Sequence, residues 1–306
     1  RSTARWPPRT VRGMRRPDRR AAAALATLAA LAVAVAGCGD TAAVRAPQGT
    51  FVAPAPRDRA EVWAVGDGAD GGAAARAVAR RIAVGRPDRV LYLGDVYEDG
   101  TAAEFRDNFA SVYGALAPRM APTPGNHDWP EHRRGYDPYW RRVLGRPVPS
   151  FYAMRAGGWQ LLSLNSEAPH GTGSAQVRWL RRQVTGGGTC RLAFWHRPRW
   201  SASTKHGDQP DVQPLWSALR GRAALVLNGH DHDLQRLRPR DGITEFVSGA
   251  GGNERYPLRP RADLAFGDDS RFGALRLVLE PGRARYAFIA ASGAVLDSGT
   301  VRCRAR

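Results

Sequence analysis

Short apolar runs alternate along this chain with stretches of helical periodicity. Glu61–Val65 is an apolar run of strand length that ends in Gly66-Asp67. Ala73–Val84 follows, Ala-rich with Arg76, Arg80 and Arg81, which is the pattern of an amphipathic helix. Arg89–Leu93 is a second apolar run and ends in Gly94-Asp95. Strand, helix and strand at this length predict a βαβ unit with parallel strands. Asp67 and Asp95 then leave the sheet at its C-terminal edge, where α/β folds carry their sites.

The same rhythm continues. Thr101–Leu116 reads as a helix, with Phe105, Phe109, Val112 and Tyr113 on one side. Trp129–Pro149 is rich in Arg, Pro and aromatics and reads as a lid or long loop. Ser150–Met154 and Trp159–Leu164 read as paired strands across Ala156-Gly157-Gly158. Ser174–Val184 has Val177, Leu180 and Val184 at helical spacing, and Gly186-Gly187-Gly188 breaks it. Cys190–Trp195 is a buried-type strand that delivers His196; Val212–Leu219 is a helix; Ala223–Leu227 delivers Asn228-Gly229-His230-Asp231-His232. Ile243–Ser248 is another strand, and Ala274–Leu279, Ala284–Ala290 and Ala294–Leu296 predict a closing antiparallel meander. No repeat of fixed period is present.

The N-terminus breaks this rhythm. Arg15 to Arg20 form a basic segment, and Ala21–Ala36 is an apolar run of 16 residues interrupted only by Thr27. Gly37-Cys38 follows. That order is the order of a secretion signal, and the run is short for a membrane span, which needs about 20 residues. Small residues before a Cys resemble a bacterial lipobox. The expectation is a signal and lipobox region over 1–38, a Pro/Ala-rich tether over 39–60 and a folded domain over 61–306. Lipid on Cys38 would anchor the protein to the outer face of the cell membrane; cleavage nearby would release it as a secreted protein. Export also permits a disulfide between Cys190 and Cys303.

Formal net charge is +18, and almost all the positive charge is arginine: Lys205 is the single lysine. The arginines are scattered rather than striped, so nucleic acid is not an expected partner. That lysine lies outside any Gly-rich loop, so there is no P-loop. No Gly-x-Ser-x-Gly elbow is present.

The remaining chemistry gathers at segment ends. Asp67, Asp95, Asn126-His127 in Pro124-Gly125-Asn126-His127-Asp128, His196, and His230 with His232 come in that order. Carboxylate, amide oxygen and imidazole together suit two adjacent first-row ions rather than Ca²⁺ or a thiolate zinc site. A phosphate ester is anionic and repels a nucleophile. Two cations about 3.5–4 Å apart neutralise it and activate a water.

This series resembles the calcineurin-like metallophosphoesterase superfamily, and within it the purple acid phosphatase-like branch. The resemblance covers roughly residues 61–303. It implies a four-layer αββα sandwich of two mixed sheets and a dinuclear centre that hydrolyses phosphate monoesters of small molecules. By position, Asp67 would bind the first metal and Asp95 would bridge both. Asn126, His196 and His230 would bind the second, and His232 the first. His127 resembles the family's proton donor, with Asp128 placed to orient it. His206 resembles a substrate-side histidine, and Arg197, Arg199 and Arg255 are candidate phosphate clamps on charge and position only. Asn126 would also face substrate.

Two departures stand out. The Asp-x-His of most superfamily members has Ala69 at its His. The purple branch's ligating Tyr lies three residues after the bridging Asp, whereas Tyr97 lies two after Asp95. Tyr97 therefore stands either as a ligand, which would favour Fe³⁺ paired with Fe²⁺, Zn²⁺ or Mn²⁺, or as an aromatic packed over the site. In the second case the choice among Mn²⁺, Zn²⁺ and Fe stays open. A phosphodiesterase or nuclease on the same site is the alternative. A polyanion-binding surface lipoprotein without catalysis is the alternative of another class.

Overall fold

The computed structural model describes residues 58–303, all within the unit Ala43–Arg306. The signal, the lipobox with Cys38, and nearly all of the tether lie outside the described residues. Among the described residues no helix is long and apolar enough to cross a membrane.

The first sheet has six strands in the order β13-β12-β11-β1-β2-β3. Its parallel half is β1 (Ala60–Val65), β2 (Arg89–Tyr92) and β3 (Met120–Pro122). Its antiparallel half is the meander β11 (Gly273–Glu280), β12 (Arg283–Ala290) and β13 (Val295–Arg302). The second sheet has seven strands in the order β10-β8-β9-β7-β6-β5-β4. Here β5 (Trp159–Ser163), β6 (Cys190–Phe194), β7 (Leu225–Asn228) and β9 (Thr244–Ser248) run parallel. β4 (Tyr152–Ala156), β8 (Leu234–Leu237) and β10 (Leu264–Asp268) are antiparallel to their neighbours.

Strand alternation builds the layers. On β1, Val62 and Ala64 join the core between the sheets, with Leu91, Leu192, Phe194, Phe246 and Leu275. Trp63 and Val65 point the other way, into a cluster beneath α1 (Ala73–Val84). That outer layer also holds a helical stretch of α2 (Ala102–Glu104), a π-turn (Phe105–Phe109) and α3 (Ala110–Tyr113). Thr101 starts it with a capping box, its side chain accepting from Glu104 N–H while Glu104 reaches back. On the far face of the second sheet, α5 (Ala175–Gln183) and α6 (Gln213–Leu219) bury Val177, Leu180, Leu215 and Trp216. The expected αββα layering is therefore the observed one.

Trp129–Pro149 is not an irregular lid. It contains α4 (Tyr136–Leu144), which buries Tyr136, Tyr139 and Trp140 at helical spacing against Phe105 and Phe109. Pro138 is tolerated because it lies in the first turn, where its missing N–H has no intrahelical partner. Cys190 and Cys303 are bridged across a separation of 113 residues, with 5.6 Å between Cα atoms. The bridge ties the end of β13 to the start of β6.

Candidate metal centre

β1, β2, β3, β6 and β7 all point their C-terminal ends to one place. β1 runs through Gly66 into Asp67, and β2 runs through Leu93-Gly94 into Asp95. β3 leads to Asn126, β6 to His196 and β7 to His230. Asp67, Asp95 and His230 have left-handed backbones, with φ of 59°, 69° and 70°. Non-glycine residues seldom adopt that region, and where they do the surroundings hold them there, commonly at functional sites. Glycine precedes all three, and at Gly94 and Gly229 the reason is space. A Cβ on Gly229 would stand 2.5 Å from Asp67 Oδ2, and one on Gly94 would stand 2.7 Å from His196 Nδ1.

The donor atoms converge. Asp67, Asp95 and His196 offer ligand atoms all within 4.8 Å of one another, and all three residues are buried. His196 Nε2 lies 3.2 Å from Asp95 Oδ2, 3.1 Å from Asn126 Oδ1 and 3.2 Å from His230 Nδ1. The Tyr97 hydroxyl lies 3.1 Å from Asp67 Oδ1, 3.3 Å from Asp95 Oδ2 and 2.8 Å from His232 Nε2. The shorter register of Tyr97 thus does not turn it away. Donors that share a first-row ion at about 2.0–2.2 Å stand about 3 Å apart, so these spacings fit metal ligation. The outer contacts fit too. His196 Nδ1 meets the Leu93 carbonyl at 2.8 Å and His232 Nδ1 the Glu254 carbonyl at 2.7 Å. In each ring an Nδ1–H donated to the carbonyl leaves the Nε2 lone pair facing the cluster. His230 Nε2 is buried with no hydrogen-bond partner.

Electrostatics carry the same message. Burial pushes the Asp67 carboxyl well above the usual carboxylate range, with the Asp95 charge adding to it against the pull of His196. Burial also works against a charged Asp95, but His196 and the His127 N–H outweigh it and hold Asp95 below that range. At His196 burial opposes the imidazolium, yet Asp95 and Asp67 raise it to about 10. Burial pushes His232 down to about 4 and His230 well below its ordinary value, which leaves both rings neutral. The buried carboxylates thus favour positive charge at this point, which is the charge a bound cation would supply.

Several expected roles are reassigned. Asp128 does not touch the His127 ring. Its carboxylate accepts from the N–H groups of Asp95, Val96 and Gly125 at 2.8, 3.0 and 2.8 Å. The Glu98 carbonyl holds His127 Nδ1 instead. Arg255 is not free to clamp phosphate. Its guanidinium donates to the carbonyls of His232 (2.7 Å), Asp268 (2.9 Å) and Arg271. Arg199 bonds Gln213 at 2.6 Å and stacks on Trp200 at 3.6 Å. Arg197 is held by Glu167 at 2.9 Å. His206 does lie against the cluster, stacked on His230 at 4.1 Å. Tyr256 escaped the sequence reading: it stacks on His232 at 3.9 Å and has no motif signal beyond its place after Gly249-Ala250-Gly251-Gly252.

The sequence profile of the calcineurin-like phosphoesterase family matches residues 35–234, and the chain belongs to that family. Its relatives include tartrate-resistant acid phosphatase type 5 of Rattus norvegicus, 26% identical over 214 residues, 58% of this chain and 64% of the rat protein. A probable cyclic nucleotide phosphodiesterase of Synechococcus sp. is 28% identical over 174 residues, 53% of this chain and 63% of that one. Among solved structures, a purple acid phosphatase from yellow lupin seeds superposes with a TM-score of 0.68 at 16% identity, covering 82% of this chain and 55% of the lupin chain. The chain thus spans somewhat under two thirds of each of these three proteins.

Proposed function

We propose that this protein is a metal-dependent phosphoesterase that hydrolyses phosphate monoesters at a dinuclear centre. The observation that carries the proposal is the meeting of Asp67, Asp95, Tyr97, Asn126, His196, His230 and His232 at mutual spacings of ligand type, at the ends of strands from both sheets. In this reading Asp67, Tyr97 and His232 would hold one ion and Asn126, His196 and His230 the other, and Asp95, which contacts both sets, would serve both. Tyr97 as a ligand favours Fe³⁺ on its side. The ions, when bound, neutralise the phosphoryl group and supply the activated water.

The chain's own residues do the rest. Asp95 keeps the two halves in register through its contacts to both. His127, whose Nδ1 is engaged by Glu98, has Nε2 left to protonate the departing alkoxide. His206 borders the phosphate-binding side. The rat relative supports monoesterase action, and the Synechococcus relative favours a diesterase as the second reading. Comparing turnover of p-nitrophenyl phosphate with that of its bis ester, with Fe, Zn²⁺ and Mn²⁺ supplied, decides between them. No turnover of either ester with any metal would remove the enzyme reading. The exported lipoprotein with its anchor at Cys38 is proposed on the same footing, and mass spectrometry of the mature N-terminus tests it.

A further inference from the structure

A second basic site lies at the opposite end of the strands that carry His196 and His230. There a cavity of about 500 Å³ is lined by Arg191 at the start of β6, Arg222 ahead of β7, Asp241 and Gly242 ahead of β9, and Arg302 and Cys303 at the end of β13. Arg191 and His196 are five residues apart in sequence. At about 3.3 Å per strand residue, the cavity is about 16 Å from the metal ligands.

Arg191 is only 6% exposed. Its guanidinium donates to Gln160 Oε1 at 3.0 Å, the Gly186 carbonyl at 3.0 Å and the Arg222 carbonyl at 3.3 Å. Every one of these acceptors is neutral, so the hydrogen bonds are satisfied and the charge is not. Burial, and then the guanidiniums of Arg222 and Arg155, hold Arg191 below its ordinary value. The one carboxylate on the wall is already engaged: Asp241 pairs with Arg220 at 3.2 Å and accepts from Trp216 at 3.0 Å. Arg222 and Arg302 are exposed and make no side-chain hydrogen bond or ion pair among the described residues. A buried cation is ordinarily paired. This one faces a cavity whose other charges are mostly of its own sign.

We propose that this cavity binds a phosphate-class anion, with Arg222 and Arg302 as the exposed hydrogen-bonding arms and Arg191, whose own donors are engaged by the wall, contributing its uncompensated charge. The guanidinium forks of Arg222 and Arg302 match the oxygen spacing of phosphate, and several guanidiniums lining one cavity suit a multiply charged ligand better than chloride. The volume admits a phosphate with a small substituent. The anion is either free phosphate or the headgroup of an anionic lipid.

The test uses the metal-loaded protein, amide spectra and inorganic phosphate as the probe. Binding in the cavity moves the amide signals of Gly186, Gly221 and Gly242, which line it. In Arg222→Ser/Arg302→Ser that binding weakens about tenfold or more, because charge-assisted hydrogen bonds are lost. Inhibition of turnover by phosphate, which reports the metal centre, stays unchanged. Arg222→Lys/Arg302→Lys, which keeps the charges, restores part of the binding. The second arm is co-sedimentation with phosphatidylglycerol vesicles: loss in the Ser variant assigns the site to lipid headgroups, and no sedimentation of the parent assigns it to free anions. The proposal is overturned if phosphate moves only signals of the metal-centre loops and vesicle binding is absent or is the same in parent and variant.

Discussion

The two edges of the seven-stranded sheet are made from the same strands and do opposite work. At the C-terminal edge, β6 and β7 release His196 and His230 into a buried cluster of carboxylates and imidazoles. Left-handed kinks and backbone carbonyls hold that cluster in place. At the N-terminal edge, β6 begins with Cys190, bridged to Cys303, and with Arg191 held by neutral acceptors. One edge concentrates groups that are costly to bury and useful in chemistry. The other concentrates a covalent tie. Damage at the first is expected to abolish turnover while leaving the fold, and damage at the second to weaken the fold while leaving turnover per folded molecule.

The sharpest break is Asp95→Ala, which removes the carboxylate that touches both halves of the cluster. Turnover of p-nitrophenyl phosphate drops to the level of buffer and elemental analysis finds metal lost, while circular dichroism is unchanged. His127→Ala comes next. Turnover falls about 10²–10⁴-fold, the usual contribution of a positioned proton donor, and both metals stay bound; lost metal would make His127 a ligand. Tyr97→Phe removes the hydroxyl that Asp67, Asp95 and His232 surround. Metal affinity falls about 10–100-fold, the range seen when a group orienting or completing a metal site is removed; full affinity and activity would return Tyr97 to a packing role. At the other edge, Cys190→Ser/Cys303→Ser costs about 2–4 kcal/mol of stability. That lowers the melting midpoint by roughly 2–4 °C per kcal/mol in a domain of this size, with kcat unmoved.

Strand ends were legible because each donor follows a short apolar run: Leu93 before Gly94-Asp95, Trp195 before His196, Leu227 before Asn228-Gly229-His230. A period of two needs only a few residues to show. α4 was hidden because its apolar face is three aromatics among Arg and Pro, a composition that reads as loop until Phe105 and Phe109 are seen to receive it. β3, β8 and β10 are three to five residues long and carry too little pattern. The arginines misled for a different reason. Charge is visible in a sequence, but the carbonyls that Arg255 saturates belong to the backbone and leave no trace in residue identity. Asp128 shows the same blind spot, since all of its partners are amides.

That last carboxylate has a practical corollary. Asp128 sews the turn after β2 to the turn after β3 using protein atoms alone. On the proposed metal-centre reading, a chelator would therefore strip any bound ions from a scaffold whose loops keep their places. The emptied protein could then be refilled with one metal at a time, from the same batch and without passing through denaturant, to learn which metal, or pair of metals, supports the proposed turnover.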